Sequence, residues 1–179
     1  MALAEVIQDI ELSYRQFEFS IRLLSFCELG KIDPKEFDDD HIIALPEGTL
    51  HFPAGQFASK ESIQHAAAIG VLITVGAMAL AMDRGFEEIK VARDPKATDS
   101  TGRLRLLIYM IRCAYAHDVA SPCWQARGDF QRQLIIDLDP NPLTLDLADV
   151  NGKPFNVEQI GGYYNWDRLY RMVLAILKS

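Results

Sequence analysis

Eight consecutive residues, Ile111-Arg112-Cys113-Ala114-Tyr115-Ala116-His117-Asp118, set a guanidinium and an imidazole five positions apart, just ahead of Pro122 and Trp124. Cleavage of a ribose phosphodiester needs groups of this kind. One must take the 2′-hydroxyl proton, one must protonate the leaving oxygen, and a cation must balance the charge that develops on the phosphorane. Imidazole changes charge near neutral pH and suits either proton transfer, while guanidinium suits the charge. On a regular helix five residues turn through about 140°. Arg112 and His117 therefore share a cleft only if the helix frays at His117 or the cleft lies at its end, and Pro122 makes an ending there reasonable. The same two residues admit a purely architectural account, with Arg112 in a salt bridge and His117 stabilised by the dipole of a helix C-terminus.

The neighbours of the pair carry similar double readings. Asp118 is placed to orient the imidazole, or simply to cap a turn. Tyr115 can contact a base, although its spacing from Ile108 and Ile111 also fits a core aromatic. Arg103 and Arg105 are candidates for a surface that tracks phosphates, the alternative being a solvated helix face. Cys113 has no second histidine close in sequence to activate it and reads as a buried thiol.

Other groupings are weaker. Asp38-Asp39-Asp40-His41 has the atoms of a metal site, but adjacent residues seldom point at one ion, so a solvated turn is expected. Asp137, Asp139, Asp146 and Glu158, with Lys153, fit the wet face of a sheet better than a metal-dependent nuclease centre. The sequence has no phosphate-cradling glycine loop, no Gly-x-Ser-x-Gly elbow and no His-Glu-x-x-His pair, and neither metal nor cofactor is expected.

Periodicity supplies the elements that would position these residues. Residues 2–29 repeat apolar side chains at steps of three and four (Val6, Ile10, Tyr14, Phe17, Ile21, Leu24), predicting one long amphipathic helix that stops at Gly30. Residues 31–56, with Pro34, Pro46 and Pro53, read as an irregular connection. A second helix is predicted from Ser59 as N-cap to about residue 88, apolar nearly all round, in which Gly70 and Gly76 admit close approach of another helix. Asp99 or Ser100 can cap a third over residues 103–117. Beyond Pro122 the period changes to two: residues 133–139 and 143–150 predict strands, with Asn151-Gly152 as a tight turn into a third strand at 155–160. Asn165 can cap a last helix that buries Trp166, Leu169, Tyr170, Val173, Leu174 and Leu177. The expectation is a mainly α protein, a four-helix up-and-down bundle in a single domain over 1–179, with a small antiparallel β-sheet inserted at about 131–160 before the last helix.

Composition bounds what such a protein can do. Its 179 residues are 49% hydrophobic and 24% charged, the balance of a globular chain. A net charge of −7 argues against a surface that binds polyanions everywhere. The basic residues are concentrated, however: residues 91–132 hold seven arginines and lysines against four aspartates. Three cysteines without Cys-x-x-Cys spacing fit a reducing compartment, and Glu5, Asp9 and Glu11 interrupt the place where a secretory leader would lie, so a cytoplasmic location is expected. Residues 66–82 carry no charge, but their alanine, glycine and threonine content reads as a buried helix and no membrane association is expected.

An arginine followed after four residues by a histidine, near the end of the third long helix of a small bundle, resembles the HEPN family. Here Arg112 and His117 stand at the two motif positions. The resemblance covers the helical core and implies a metal-independent endoribonuclease that acts as a homodimer. In that reading the Arg and His of both protomers meet in one cleft, and RNA is left with a 2′,3′-cyclic phosphate. His117 is then the general acid or base and Arg112 the phosphate clamp. It also implies an antitoxin or a nucleotidyltransferase as a possible partner. The rival expectation is a non-catalytic dimerisation, nucleotide- or protein-binding module, in which the apolar second helix and Trp124 or Trp166 contact a partner.

Overall fold

The computed structural model describes residues 2–179, and the protein is mainly α with small antiparallel β insertions. In order it contains α1 (Leu3–Glu28), α2 (Pro34–Phe37), β1 (His41–Leu45), β2 (Gly48–Phe52), α3 (Lys60–Glu88), α4 (Ser100–Ala114), β3 (Gln133–Ile136), β4 (Leu143–Asp146), α5 (Leu147–Val150) and α6 (Gly162–Leu177). Short 3-10 turns lie at Gly128–Phe130 and Val157–Ile160. Two compact units divide the chain: one comprises the chain up to Tyr14 together with Val75–Ser179, the other Arg15–Thr74.

In the larger unit the core is built from Val6 and Ile10 of α1, Met78, Met82 and Phe86 of α3, Leu104, Leu107, Ile108 and Ile111 of α4, and Trp166, Leu169, Val173 and Leu177 of α6. The three- and four-residue steps dictate these faces. Asp99 caps α4, its carboxylate accepting from the Gly102 N–H at 2.8 Å. Burial on α4 goes beyond the expected stripe, taking in Leu106 and Met110 and also Arg105. Gly76 is where α3 needs a missing side chain: a Cβ there would lie 2.5 Å from the Tyr115 ring. At Gly70, by contrast, a Cβ would make only ordinary contact with Ser20 Oγ at 3.9 Å. Helix α3 is long and apolar enough to cross a membrane by length and composition, and 44% of its most apolar window is buried.

Strands β3 and β4 pair antiparallel, Leu134 opposite Leu145 and Ile136 opposite Leu143, with these four buried and Ile135 and Thr144 outward. The alternation that predicts them therefore holds, but both strands are shorter than expected. Asp146 ends β4 by accepting from the Ala148 N–H at 2.9 Å and starting α5. The expected third strand at 155–160 is instead a 3-10 turn with a capping box between Asn156 and Gln159. A type I′ turn needs positive φ at both central residues, and Asn151 has φ −54°. Its side chain accepts from the Ala126 N–H at 2.9 Å instead. Asn165 is not the cap of α6 either. That helix begins three residues earlier, at Gly162, with Gly161 in the left-handed region at φ +84°, and Leu174 is only half-buried.

Where α1 meets α6 the Tyr14 and Tyr170 rings stack at 4.0 Å, and the Tyr14 hydroxyl donates to Asp167 Oδ1 at 2.6 Å. Arg171 Nε donates to the other oxygen at 2.8 Å. Burial, then the hydrogen bond and charge of Asp167, push the Tyr14 phenol from 10.0 up to about 12. A phenol whose folded value is raised contributes stability that is complete below 10 and lost as pH climbs towards 12. Denaturant titrations should therefore show the stability advantage of wild type over Tyr14→Phe shrinking across that alkaline window. Curves that stay parallel from pH 9 to 12 would refute the assignment.

The smaller unit contains a stretch for which the sequence predicts no regular structure. Residues 41–52 form a hairpin, with Ile43 opposite Leu50 and Leu45 opposite Gly48 across Pro46 and Glu47. The strand sequences His-Ile-Ile-Ala-Leu and Gly-Thr-Leu-His-Phe carry no sustained period-two alternation, and all ten strand residues are exposed. Cys27, Ile63 and Ala67 form a small core, with Leu23, Leu24, Ile32 and Phe57 packed against it. Ser59 caps α3 as expected, its hydroxyl accepting from the Ser62 N–H at 3.2 Å.

Candidate functional site

Helix α4 stops at Ala114, three residues before the expected end. Its last turn is closed by short-range bonds, Ala116 N–H to the Cys113 carbonyl at 3.2 Å, and by Cys123 N–H, which takes the Ala114 carbonyl at 3.0 Å. Tyr115 becomes the C-cap. His117 is thereby released from the helical rotation that would have turned it away from Arg112. Both line one pocket of about 420 Å³ together with Tyr109, Cys113, Gln125, Arg127 and Phe130. Arg112 is half-buried and His117 exposed. Neither side chain makes a hydrogen bond or an ion pair among the described residues.

The far wall is an extended segment, residues 122–127, which alternates buried and outward side chains. Trp124 and Ala126 are wholly buried, while Gln125 and Arg127 face the pocket. It is pinned by Trp124 N–H to the Lys153 carbonyl at 3.0 Å and by Phe155 N–H to the Pro122 carbonyl at 2.8 Å. The indole Nε1 of Trp124 donates to Gln159 Oε1 at 2.8 Å. Arg127 is a functional candidate that residue spacing from Arg112 does not reveal. The period-two pattern Trp-Gln-Ala-Arg was its available signal. Arg127 reaches Gln125 Oε1 at 3.3 Å, and no acidic residue lines the pocket. Phe130 lies 5.8 Å from the Tyr109 ring. A hydrogen bond with Cys113 is the leading cause of the raised Tyr109 phenol, followed by burial. Cys113, expected to be a buried thiol, is half-buried and open to this pocket.

The other candidate substrate contacts lie elsewhere. Asp118 does not approach the imidazole; its Oδ1 accepts from the Ala120 and Ser121 N–H groups at 2.9 and 3.0 Å, capping the turn. Tyr115 is a core aromatic, 6% exposed, set edge-on to Phe155 at 5.4 Å, and burial raises its phenol. Arg103 donates to the Ile135 carbonyl at 3.2 Å. Arg105 cannot track phosphates: it is 2% exposed, 3.5 Å from buried Asp83, and desolvation lowers its pKa. Arg93 shares Asp83 at 2.9 Å and lies over the Tyr109 ring at 4.8 Å. Trp124 and Trp166, one or the other of which was expected to contact a partner, are both buried, Trp166 with its Nε1 on Met78 Sδ at 3.3 Å.

Among the described residues no group of three His, Cys, Asp or Glu side chains is arranged to hold a metal ion. Cys27, Cys113 and Cys123 are free thiols. No family model matches the chain, and no curated protein or solved structure matches it either.

Proposed function

We propose that the protein is a HEPN-like endoribonuclease, or a close functional equivalent, that cleaves RNA without metal through Arg112 and His117. The observation that carries this reading is the convergence of an unpaired guanidinium and an exposed imidazole in one pocket free of carboxylates. His117 moves the proton, Arg112 holds the phosphate and the charge that builds on it, and Arg127 adds a second cation. Cleavage of this kind needs two proton transfers, and the pocket holds one imidazole. A second copy of the chain supplying its own His117 completes the chemistry, which is the reason to propose a homodimer with the site at the subunit cleft. Cytoplasmic residence, and control by an antitoxin or a nucleotidyltransferase, belong to the same proposal. The competing role, a non-catalytic helical binding module, draws its support from the apolar side chains exposed on α1 and the β1–β2 hairpin, such as Phe19, Ile42 and Phe52.

The test is incubation of a mixed, end-labelled RNA pool with the protein in EDTA, with light scattering on the same sample. Products with 2′,3′-cyclic phosphate ends from a dimer support the proposal, and intact RNA refutes it. Arg127→Ala should weaken RNA binding and raise KM several-fold while changing kcat little, because its cation meets ground and transition states alike. A loss confined to kcat would instead place Arg127 on the reacting phosphate.

A further inference from the structure

The smaller unit holds a second cavity of opposite character. About 370 Å³ in volume, it is lined by Phe37, Phe52 and Phe57 together with Asp38, Asp39, His41, Pro53 and Gln56. Large rings on a globular surface are ordinarily turned inward. Here Phe37 and Phe52 are 45% and 54% exposed, and both border this concavity. Phe37 stands edge-on to Phe57 at 5.5 Å and 78°. Asp38 fixes the wall, accepting from the Gly55 and Phe57 N–H groups at 2.7 Å each. Asp39 accepts only from the Asp40 N–H at 2.9 Å and has no ion pair among the described residues. No lysine or arginine lines the cavity, and residues 31–58 hold six carboxylates against two lysines.

We infer that this pocket binds a small organic cation bearing an alkylated ammonium group. The rings and the carboxylates of the lining bear on that choice. Phenyl faces carry negative quadrupole charge and attract a weakly hydrated onium ion. The carboxylates repel anions, so a phosphate or nucleotide is excluded. A neutral apolar ligand would gain from the rings but nothing from Asp39, whereas a strongly hydrated metal ion would gain nothing from the rings. An alkylammonium uses both, its methyl groups against the rings and its charge towards Asp39.

The experiment compares choline with 3,3-dimethylbutan-1-ol, its uncharged isostere, by calorimetric or NMR titration of the full chain. Choline is expected to bind at least about tenfold more tightly than the alcohol, in line with a cation–π and ionic preference. Asp39→Asn and Phe52→Leu, both at exposed positions and checked for unchanged circular dichroism, should each weaken choline several-fold without closing the cavity. Pelleting with phosphatidylcholine vesicles that free choline competes away would support the same onium chemistry presented by a lipid headgroup. Equal binding of the two isosteres, no binding of choline, or variants that bind like wild type would each overturn the inference.

Discussion

Replacing His117 with alanine is expected to lower metal-independent RNA cleavage by about 10²- to 10⁴-fold in kcat, the range that a positioned proton-transfer group contributes. Arg112→Ala should cost about 10²- to 10³-fold, comparable to losing a preorganised donor to a developing oxyanion. Arg112→Lys should recover only part of that, since an ammonium carries the charge but not the planar fork. His117 is exposed, and Arg112 is half-buried with no ion pair among the described residues, so none of these substitutions breaks a buried salt bridge. The stability of each variant should therefore stay within about 0.5 kcal/mol of wild type. Product ends and rates are read at matched protein concentration and oligomeric state with EDTA present. Equal background from wild type and both alanine variants, with the fold intact, would reduce the pair to architecture and favour the binding module.

Trp124→Ala is expected to have the largest effect on stability. The indole is wholly buried, its Nε1 bonded to Gln159 and its ring 5.2 Å from Phe155. Removing a buried tryptophan costs about 3–5 kcal/mol through lost burial and the cavity left behind, which for a chain of this size lowers Tm by about 10 °C. Gln159 loses a partner as well, although it also accepts from the Asn156 N–H at 2.8 Å. Tyr164→Ala, at a position 72% exposed, supplies the contrast and should shift Tm by little. A Trp124→Ala protein that melts with wild type would show that residues 122–127 are not anchored as described. Because Gln125 and Arg127 sit on that segment, cleavage by Trp124→Ala should also fall under conditions where the protein remains folded.

Much of the helical frame is legible in the residues. Helices α1 and α3 start and stop within a residue or two of the positions that Gly30, Ser59 and the apolar steps dictate, because burial of one face and a polar cap are local, additive preferences. The β-rich segment is legible only in part. Phe155, Val157 and Ile160 are buried in a rhythm close to that of a strand, yet Asn156 and Gln159 cap one another and close a 3-10 turn. Side-chain to backbone bonding won over apolar alternation. The hairpin at residues 41–52 escaped because its strands bury nothing in this chain, so the usual signal of one dry face is absent. At the site, Arg112 and His117 were legible by type and spacing. What brings them together, Cys123 N–H on the Ala114 carbonyl, is a backbone bond with no side-chain signature. Arg105 was misplaced because its partner Asp83 lies 22 positions earlier on another helix, a pairing that spacing along α4 does not reveal.

The contact at Gly76 links the packing of α3 to the end of α4. Only a hydrogen atom at residue 76 leaves room for the Tyr115 ring, and Tyr115 is the residue at which α4 gives way to the turn carrying His117. A methyl group there would favour the helix on intrinsic propensity, yet it would have to displace the buried Tyr115 ring, two residues ahead of His117 in the chain. The turn that carries His117 thus starts from a side chain for which a different helix must leave room. Substitutions that improve α3 as an isolated helix are, at this one position, substitutions against the packing of the residue that ends α4.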